Sequence, residues 1–545
     1  MLKNIKYALL IAGAVFCTAS CQSFLVTPPV GSLSPDGFYD SPAHVENGLL
    51  GVYSFLRDIE TNDILLLSED RSDNMWVDPV ANGIRSCSEV SNFRFDESLG
   101  DLNDLWASLY AMINNANSVL ENSAQTPFTD ESLRNQFNGE LYFLRGFAHF
   151  ELARFFGNVP IVDHVLSVTE AQELKQSTGA EVIAAAIADL KKAEELLPYE
   201  NGMKNSKGAA IGGAGRADKV VAEAMIARAY MTLKGFPYND GSAKASAKSY
   251  LEKVLNYSTS NGNKYWAPTI AEWKKQWLTD TDTANKYQIF SIQHTLSSGN
   301  NLTGVEGGAG LTQEYLPKGG GGSSMWPGYI DAALRYDYIK NQDPRGLGTY
   351  FMDGYKAYGA ALNDYSNELL TIKLEDGSEV ESYMLSINTK YLPFQQRLAE
   401  VGMTFNYDDL GGWPVNVPIL RLEDMMLLYA EILAEDGDTA GALAQVNKIR
   451  NRAGIPAATA ASGAEALKAV KNERRLEFFL EGIRWFDEIR YGEWETCTQS
   501  HYARYAKSHG EGVATANVRA GRYLCPIPDA QLKTVPGLYI QNPDW

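Results

Sequence analysis

Apolar residues recurring every three or four positions constrain this chain more than any other feature. Leu102, Leu105, Trp106, Leu109, Tyr110, Ile113 and Leu120 fall on one helical face. Leu133 to Phe156 repeats the pattern and stops at Gly157-Asn158-Val159-Pro160. Val182 to Leu197, Asp218 to Leu233 and Ala243 to Leu255 follow, and Asp40-Ser41-Pro42 places a proline near a first helical position. Helix returns at Leu420, with Leu422, Met425, Met426, Tyr429, Ile432 and Leu433 forming a stripe. Asp438 is placed to cap the next helix, and Ser462-Gly463-Ala464-Glu465 reads as a capping box opening a third. Residues after about Glu495 read as irregular.

Two of these hairpins carry a finer signal. Ala186, Leu190, Ala193 and Pro198 have the spacing of a tetratricopeptide repeat, as do Ala430, Ala442, Val446, Ile449 and Gly454. Small residues let paired helices approach closely, and larger ones fill the next groove. The expected fold is therefore mainly α, with tetratricopeptide-like helical hairpins, a loop-rich face and few short strands. The loop-rich part lies between the helical blocks. Ser297 to Ile330 holds ten glycines, including Gly319-Gly320-Gly321-Gly322, which regular helix does not tolerate. The chain divides into a signal segment 1–20, an extended tether 21–40, a helical region 41–257, a Gly/Tyr-rich segment 258–417 and a second helical region 418–545 with an irregular tail.

The N-terminus reads as an export signal. Lys3 and Lys6 precede the apolar stretch Tyr7 to Ala19, which is too short to span a bilayer. Thr18-Ala19-Ser20-Cys21 then offers a cysteine after small residues, the arrangement acylated in bacterial lipoproteins. Cys17 is a rival, but bulky Phe16 precedes it. Without these two, Cys87, Cys497 and Cys525 remain, which permits at most one disulfide. Net charge is −19 with no basic block, which argues against nucleic acid as a partner. No zinc spacing, His-Glu-x-x-His, Gly-x-Ser-x-Gly or phosphate loop is present, so no metal, cofactor or catalytic residue is assigned.

The series of motifs resembles the SusD/RagB family over nearly the whole mature chain. It includes Tyr110, Asn114 and Asn117, then Arg145-Gly146-Phe147-Ala148 running into Leu152 to Pro160. Pro418 to Asp424 leads into Leu428-Tyr429-Ala430-Glu431, followed by Val446-Asn447-Lys448-Ile449-Arg450. Glu473-Arg474-Arg475-Leu476-Glu477 continues to Glu481-Gly482-Ile483-Arg484-Trp485-Phe486-Asp487. Cys525-Pro526-Ile527-Pro528 and Gln541-Asn542-Pro543 close the series. The resemblance implies an outer-membrane lipoprotein, anchored through Cys21 and facing the cell exterior. It implies a protein that captures glycans for a SusC-like, TonB-dependent transporter and is not an enzyme. A surface glycoside hydrolase, or a binder of peptides or glycopeptides, is the alternative.

Sugars present C–H faces that stack on aromatic rings and hydroxyl edges that polar side chains reach. The candidate glycan-binding residues are accordingly non-helical rings and their polar neighbours. Asp73, Asn74, Trp76 and Arg85 follow the first helices, a region that often lines the glycan site in the family. Trp326 and Tyr329 flank Pro327-Gly328 after the glycine run, where the family commonly supplies a second ring. Tyr355, Tyr358 and Trp413 are further candidates. The alternative for each ring is packing a loop onto the body. Trp106, Trp485 and Phe486 lie on helical stripes and are expected in the core. Glu473, Glu477 and Glu481 recur every fourth residue, Arg474, Arg475 and Arg484 can pair with them or with neighbours, and such paired charges are expected to lock helices together.

Overall fold

A computed structural model describes residues 38–62, 64–77, 85–213, 215–277, 286–293, 328–346, 349–351, 369–373, 378–383, 386–388, 390, 416–509 and 515–545. The signal segment, Cys21 and almost all of the tether lie outside them. Among the described residues, no helix is long and apolar enough to cross a membrane.

The periodic stretches are helices. They are α1 (Pro42–Asn62), α2 (Gly100–Gln125), α3 (Glu131–Phe156), α4 (Gly179–Leu196), α5 (Lys219–Lys234) and α6 (Ala243–Ser260). The second block gives α7 (Leu422–Glu435), α8 (Thr439–Ala453) and α9 (Gly463–Glu477). Each of the first eight packs on its successor, so α6 meets α7 across the whole intervening segment. This is the stacking of a helical-hairpin solenoid.

Local chemistry fixes the ends. Asp130 accepts from Ser132 N, and Thr178 and Glu181 form a reciprocal capping box. Asp438 accepts from Gly441 N at 2.8 Å, and Gly454 closes α8 in the left-handed region at φ 73°. Ser462 caps α9 through Glu465 N, but the Glu465 carboxylate returns to Ala461 N and not to Ser462.

The small residues act where close approach demands them. Ala186, Ala193, Ala430 and Ala442 are buried, as are Leu190, Val446 and Ile449. On the facing helix, a Cβ at Gly146 would come 3.0 Å from the Ala186 carbonyl. One continuous apolar core runs from Val45 on α1 to Val470 on α9.

The described strands form four antiparallel pairs. β1 (Met75–Val77) pairs with β3 (Gly328–Ile330), and β2 (Gln288–Ile292) with β8 (Val417–Arg421). β4 (Thr349–Phe351) pairs with β7 (Ser386–Asn388), and β5 (Leu369–Lys373) with β6 (Glu379–Tyr383). Phe290 on β2 meets Phe143 on α3 edge to face, 5.2 Å between centroids, which docks the β2–β8 pair on the solenoid.

Two expectations are corrected. Helix does not return at Leu420: residues 417–421 are strand, because Pro418 suits an extended edge, and α7 begins at Leu422. The region after Glu495 is not wholly irregular. After α10 (Arg484–Arg490), the 16 residues of α11 (Trp494–His509) are helical. Its buried face is Trp494, Thr498, His501 and Tyr502, half of it polar, so no apolar stripe marks it. Trp494 and Tyr502 join Phe93, Trp485, Ile489 and Val518 in a second small core.

Candidate functional site

The candidate region is built on the β1–β3 ladder. Residues Glu69 to Arg71 form one turn of tight helix, and Ser72 turns the chain by donating from Oγ to the Glu69 carbonyl at 2.7 Å. Three residues later β1 begins. Its register with β3 sets Met75 opposite Ile330, Trp76 opposite Tyr329 and Val77 opposite Gly328. Two candidate residues, one from the turn after the first helices and one from the end of the glycine-rich stretch, are thus partners in the backbone register. Arg85 opens the short helix Arg85–Ser91. Trp326, Tyr355, Tyr358 and Trp413 lie outside the described residues.

Asp73 and Asn74 are placed inward rather than on a ligand-facing edge. Asp73 is 7% exposed and Asn74 is fully buried. The Asp73 carboxylate accepts from Arg484 Nε at 2.8 Å and Nη2 at 3.0 Å. Asn74 accepts from Arg475 Nε at 2.9 Å and donates to Glu69 at 3.3 Å. Their polar atoms serve the interior because the turn before β1 lies directly on α9 and α10.

Asp331 anchors the other strand. Its backbone N–H donates to the Asn74 carbonyl at 2.8 Å, and its carboxylate caps the helix Ala332–Lys340. The same carboxylate meets Arg504 at 2.9 Å, His501 Nδ1 at 3.0 Å and Arg475 at 3.5 Å. Burial pushes this carboxyl up, but Arg504, His501 and Arg475 outweigh it and hold Asp331 well below the carboxylate range. Glu488 goes the other way. Burial and the nearby Asp73 charge push its carboxyl well up, so Asp73 keeps the charge of that pair. Asp331, His501 and Arg504 were not among the sequence candidates. Asp331 had a signal, since Asp-Ala-Ala-Leu reads as a helix N-cap.

Behind this lies a second charged group. Glu477 accepts from Arg345 at 2.8 Å, Arg421 at 2.9 Å, Arg452 at 2.7 Å and Trp273 Nε1 at 2.9 Å. Glu473 meets Arg345 at 2.6 Å and Arg450 at 3.0 Å. Glu481 pairs with Arg421 and Lys390. Burial pushes the Glu477 carboxyl up, but Arg452, Arg421 and Arg345 hold it well below its ordinary range. Arg474 bridges Asp424 and Asp487 at 2.9 and 2.7 Å. The signature run therefore locks elements together, but its glutamates take partners from outside the run, while Arg474, Arg475 and Arg484 pair with other carboxylates such as Asp424, Asp73 and Asp331. A glycosidase requires one carboxyl kept protonated and another ionised across a cleft. The carboxylates of Glu473 and Glu477 are instead sealed and saturated by guanidinium groups. Trp106 and Trp485 are buried and Phe486 half-buried. Among the described residues, no group of three or more His, Cys, Asp or Glu side chains is arranged to hold a metal ion. Cys497 and Cys525 are free thiols.

A family model described as the SusD family matches residues 236–545, and one described as starch-binding associating with outer membrane matches residues 31–231. SusD-like protein P38 of Formosa agariphila is 23% identical over 510 residues, covering 90% of this chain and 91% of its own. A SusD-like protein of Bacteroides ovatus is 22% identical over 523 residues, covering 89% of this chain and 82% of its own. Among solved structures, a SusD homolog from Bacteroides thetaiotaomicron superposes with a TM-score of 0.72 at 22% identity, covering 94% of this chain and 98% of that one. A laminarin-binding SusD-like protein superposes at 0.68 and 22% identity, covering 93% and 100%.

Proposed function

Because the chain belongs to the SusD family, we propose that it is a non-catalytic, cell-surface lipoprotein that captures a glycan and delivers it to a SusC-like, TonB-dependent transporter. One observation carries the binding site: Trp76 and Tyr329 are register partners in the β1–β3 ladder. Opposite positions on paired antiparallel strands share a face, so two rings placed this way suit the C–H faces of neighbouring sugar units. Trp326, Tyr358, Trp413 and Arg85 complete the proposed site from the flanking segments. Asp73 and Asn74 contribute by holding the ladder in place.

The similar proteins favour a glucose polymer as the ligand. One matching family model is described as starch-binding, and one superposed structure as laminarin binding. The anchor is the acylated Cys21, which holds a folded body at the outer membrane.

Affinity electrophoresis in gels containing starch or laminarin, together with a glycan array, tests this reading. Retardation without release of smaller sugars supports it. Release of reducing ends would favour the glycosidase alternative, and binding to peptides alone would favour a peptide carrier. Cys21→Ser is expected to abolish labelling by radioactive palmitate. Co-purification of a TonB-dependent barrel from detergent-solubilised outer membrane tests the partnership.

A further inference from the structure

A cavity of about 110 Å³ opens where the end of α3 meets the start of α4. Its wall includes Arg154 of α3, Phe236 and Tyr238 from the turn after α5, Phe486 and Arg490 of α10, and Tyr523 near the C-terminus. None of its lining residues belongs to β1 or β3. The walls are held firmly. Phe236 and Tyr523 stand edge to face, 5.2 Å between centroids, and the Arg154 guanidinium lies 3.8 Å from the Phe486 ring centre. Two glycines make room. Gly157 has φ 70° and a Cβ there would come 2.6 Å from Leu524 Cδ1; at Gly179 a Cβ would come 2.5 Å from Tyr238 Oη.

The chemistry of the lining defines a ligand. No carboxylate lines the cavity. The Arg154 charge is met by Glu151, and that of Arg490 by Glu431 and Asp487. The space therefore offers no unspent charge to an ion. Among the described residues, the Tyr238 and Tyr523 hydroxyls have no hydrogen-bond partner. Burial pushes both upward, so they remain protonated and can donate. An apolar cavity of about 150 Å³ holds a benzene ring, so this volume with its open mouth suits one six-membered ring entering partway. A neutral ligand with apolar faces and several hydroxyls satisfies rings and phenols together.

We propose that this cavity is a second carbohydrate site, taking one neutral pyranose ring against Phe236 and Phe486 with its hydroxyls on Tyr238 and Tyr523. The choice of sugar rests on the reading of the chain as a glycan binder; the residues are separate from the ladder.

Ligand-observed saturation-transfer NMR on the full chain tests it, with D-glucose, D-galactose and D-mannose as probes and phenol as a ring without a hydroxylated face. Tyr238→Phe with Tyr523→Phe removes two hydroxyls that have no hydrogen-bond partner among the described residues, so the melting temperature is expected to hold. One net hydrogen bond changes affinity by about fivefold, so the double variant is expected to weaken binding of at least one hexose by roughly tenfold or more. Trp76→Ala is expected to weaken polysaccharide retardation while leaving in place the part of hexose binding that Tyr238→Phe with Tyr523→Phe removes. Saturation transfer to no hexose, to phenol alone, or equally in the double variant overturns the proposal. Hexose binding lost in Trp76→Ala also overturns it, since the ladder would then be the site observed. Loss of polysaccharide binding in every assay, with hexose binding intact, would instead overturn the ladder reading alone.

Discussion

Arg475 Nε donates a 2.9 Å hydrogen bond to Asn74 Oδ1, and the same guanidinium reaches the Asp73 carbonyl at 3.1 Å. The helix carrying the Glu-Arg-Arg-Leu-Glu run thereby grips the turn from which β1 departs. Arg475→Ala is expected to cost about 1–3 kcal/mol of stability and to weaken glycan binding by loosening the ladder. Arg475→Lys keeps the charge but loses the planar fork, so it should recover only part of both. Thermal unfolding and gel retardation on the same variants check the pair of effects; full binding by a destabilised Arg475→Ala protein would separate the clamp from the site.

Trp76 and Tyr329 are predicted to act together. Each substitution by Ala is expected to weaken glycan affinity by about five- to thirtyfold, with little change in melting temperature. The double variant should lose less than the sum of the two, because the rings share one ligand face. Isothermal titration with the best array ligand measures this, and two fully additive losses would argue for separate sites.

Glu477 is the hub of the buried charges, with three arginines and an indole on one carboxylate. Glu477→Gln keeps the shape and removes the charge. It leaves Arg345, Arg421 and Arg452 undercompensated inside the protein, at a cost of about 3–5 kcal/mol. Urea unfolding is expected to show a loss of that size in the unfolding free energy extrapolated to water, without new catalytic or metal-dependent behaviour.

Two sets of carboxyls pull stability in opposite directions with pH. Burial pushes Glu431 and Asp424 up, but Arg490 with Lys234, and Arg228 with Arg474, bring them down to about 2. Their stabilisation is complete above the ordinary values of 4.5 and 3.8 and is lost as pH falls toward about 2. Glu223 is the reverse. It is 3% exposed, its Oε2 has no hydrogen bond, and burial with Glu194 nearby raises its carboxyl to about 7. The folded state then holds a proton that the unfolded state releases above 4.5, so stability falls as pH climbs from 4.5 to about 7. Glu223→Gln is expected to remove a decline on the order of 1–3 kcal/mol across that interval. Denaturation curves at pH 5 and pH 8 check it, and an unchanged slope would reject it.

The solenoid was legible because its signals are local. Pro42 starts α1, Gly157 ends α3, and Ala186 marks a helix crossing, each through chemistry within one turn or one contact. The charged role of Glu473 and Glu477 was legible in kind, since fourfold spacing on one helix suggested pairing. Their partners were not: Arg345 and Arg421 come from the intervening segment and from β8, and no spacing connects them. The inward use of Asp73 and Asn74 was hidden for the same reason, being set by α9 and α10 some four hundred residues later. The helix α11 escaped because half of its buried face is Thr498 and His501. The pairing of Trp76 with Tyr329 depends on strand register across the glycine-rich stretch, which composition does not encode.

The earliest part of the body is sewn to the last. Glu69 accepts from Leu480 N and Gly482 N, Asp73 pairs with Arg484, and Arg71 donates to the Arg522 carbonyl. During synthesis those side chains emerge hundreds of residues ahead of the groups that pair with them. A chain still short of its final segment therefore leaves buried polar groups without their partners where its interior should close, so this part of the body can seal only when the last segment is in place.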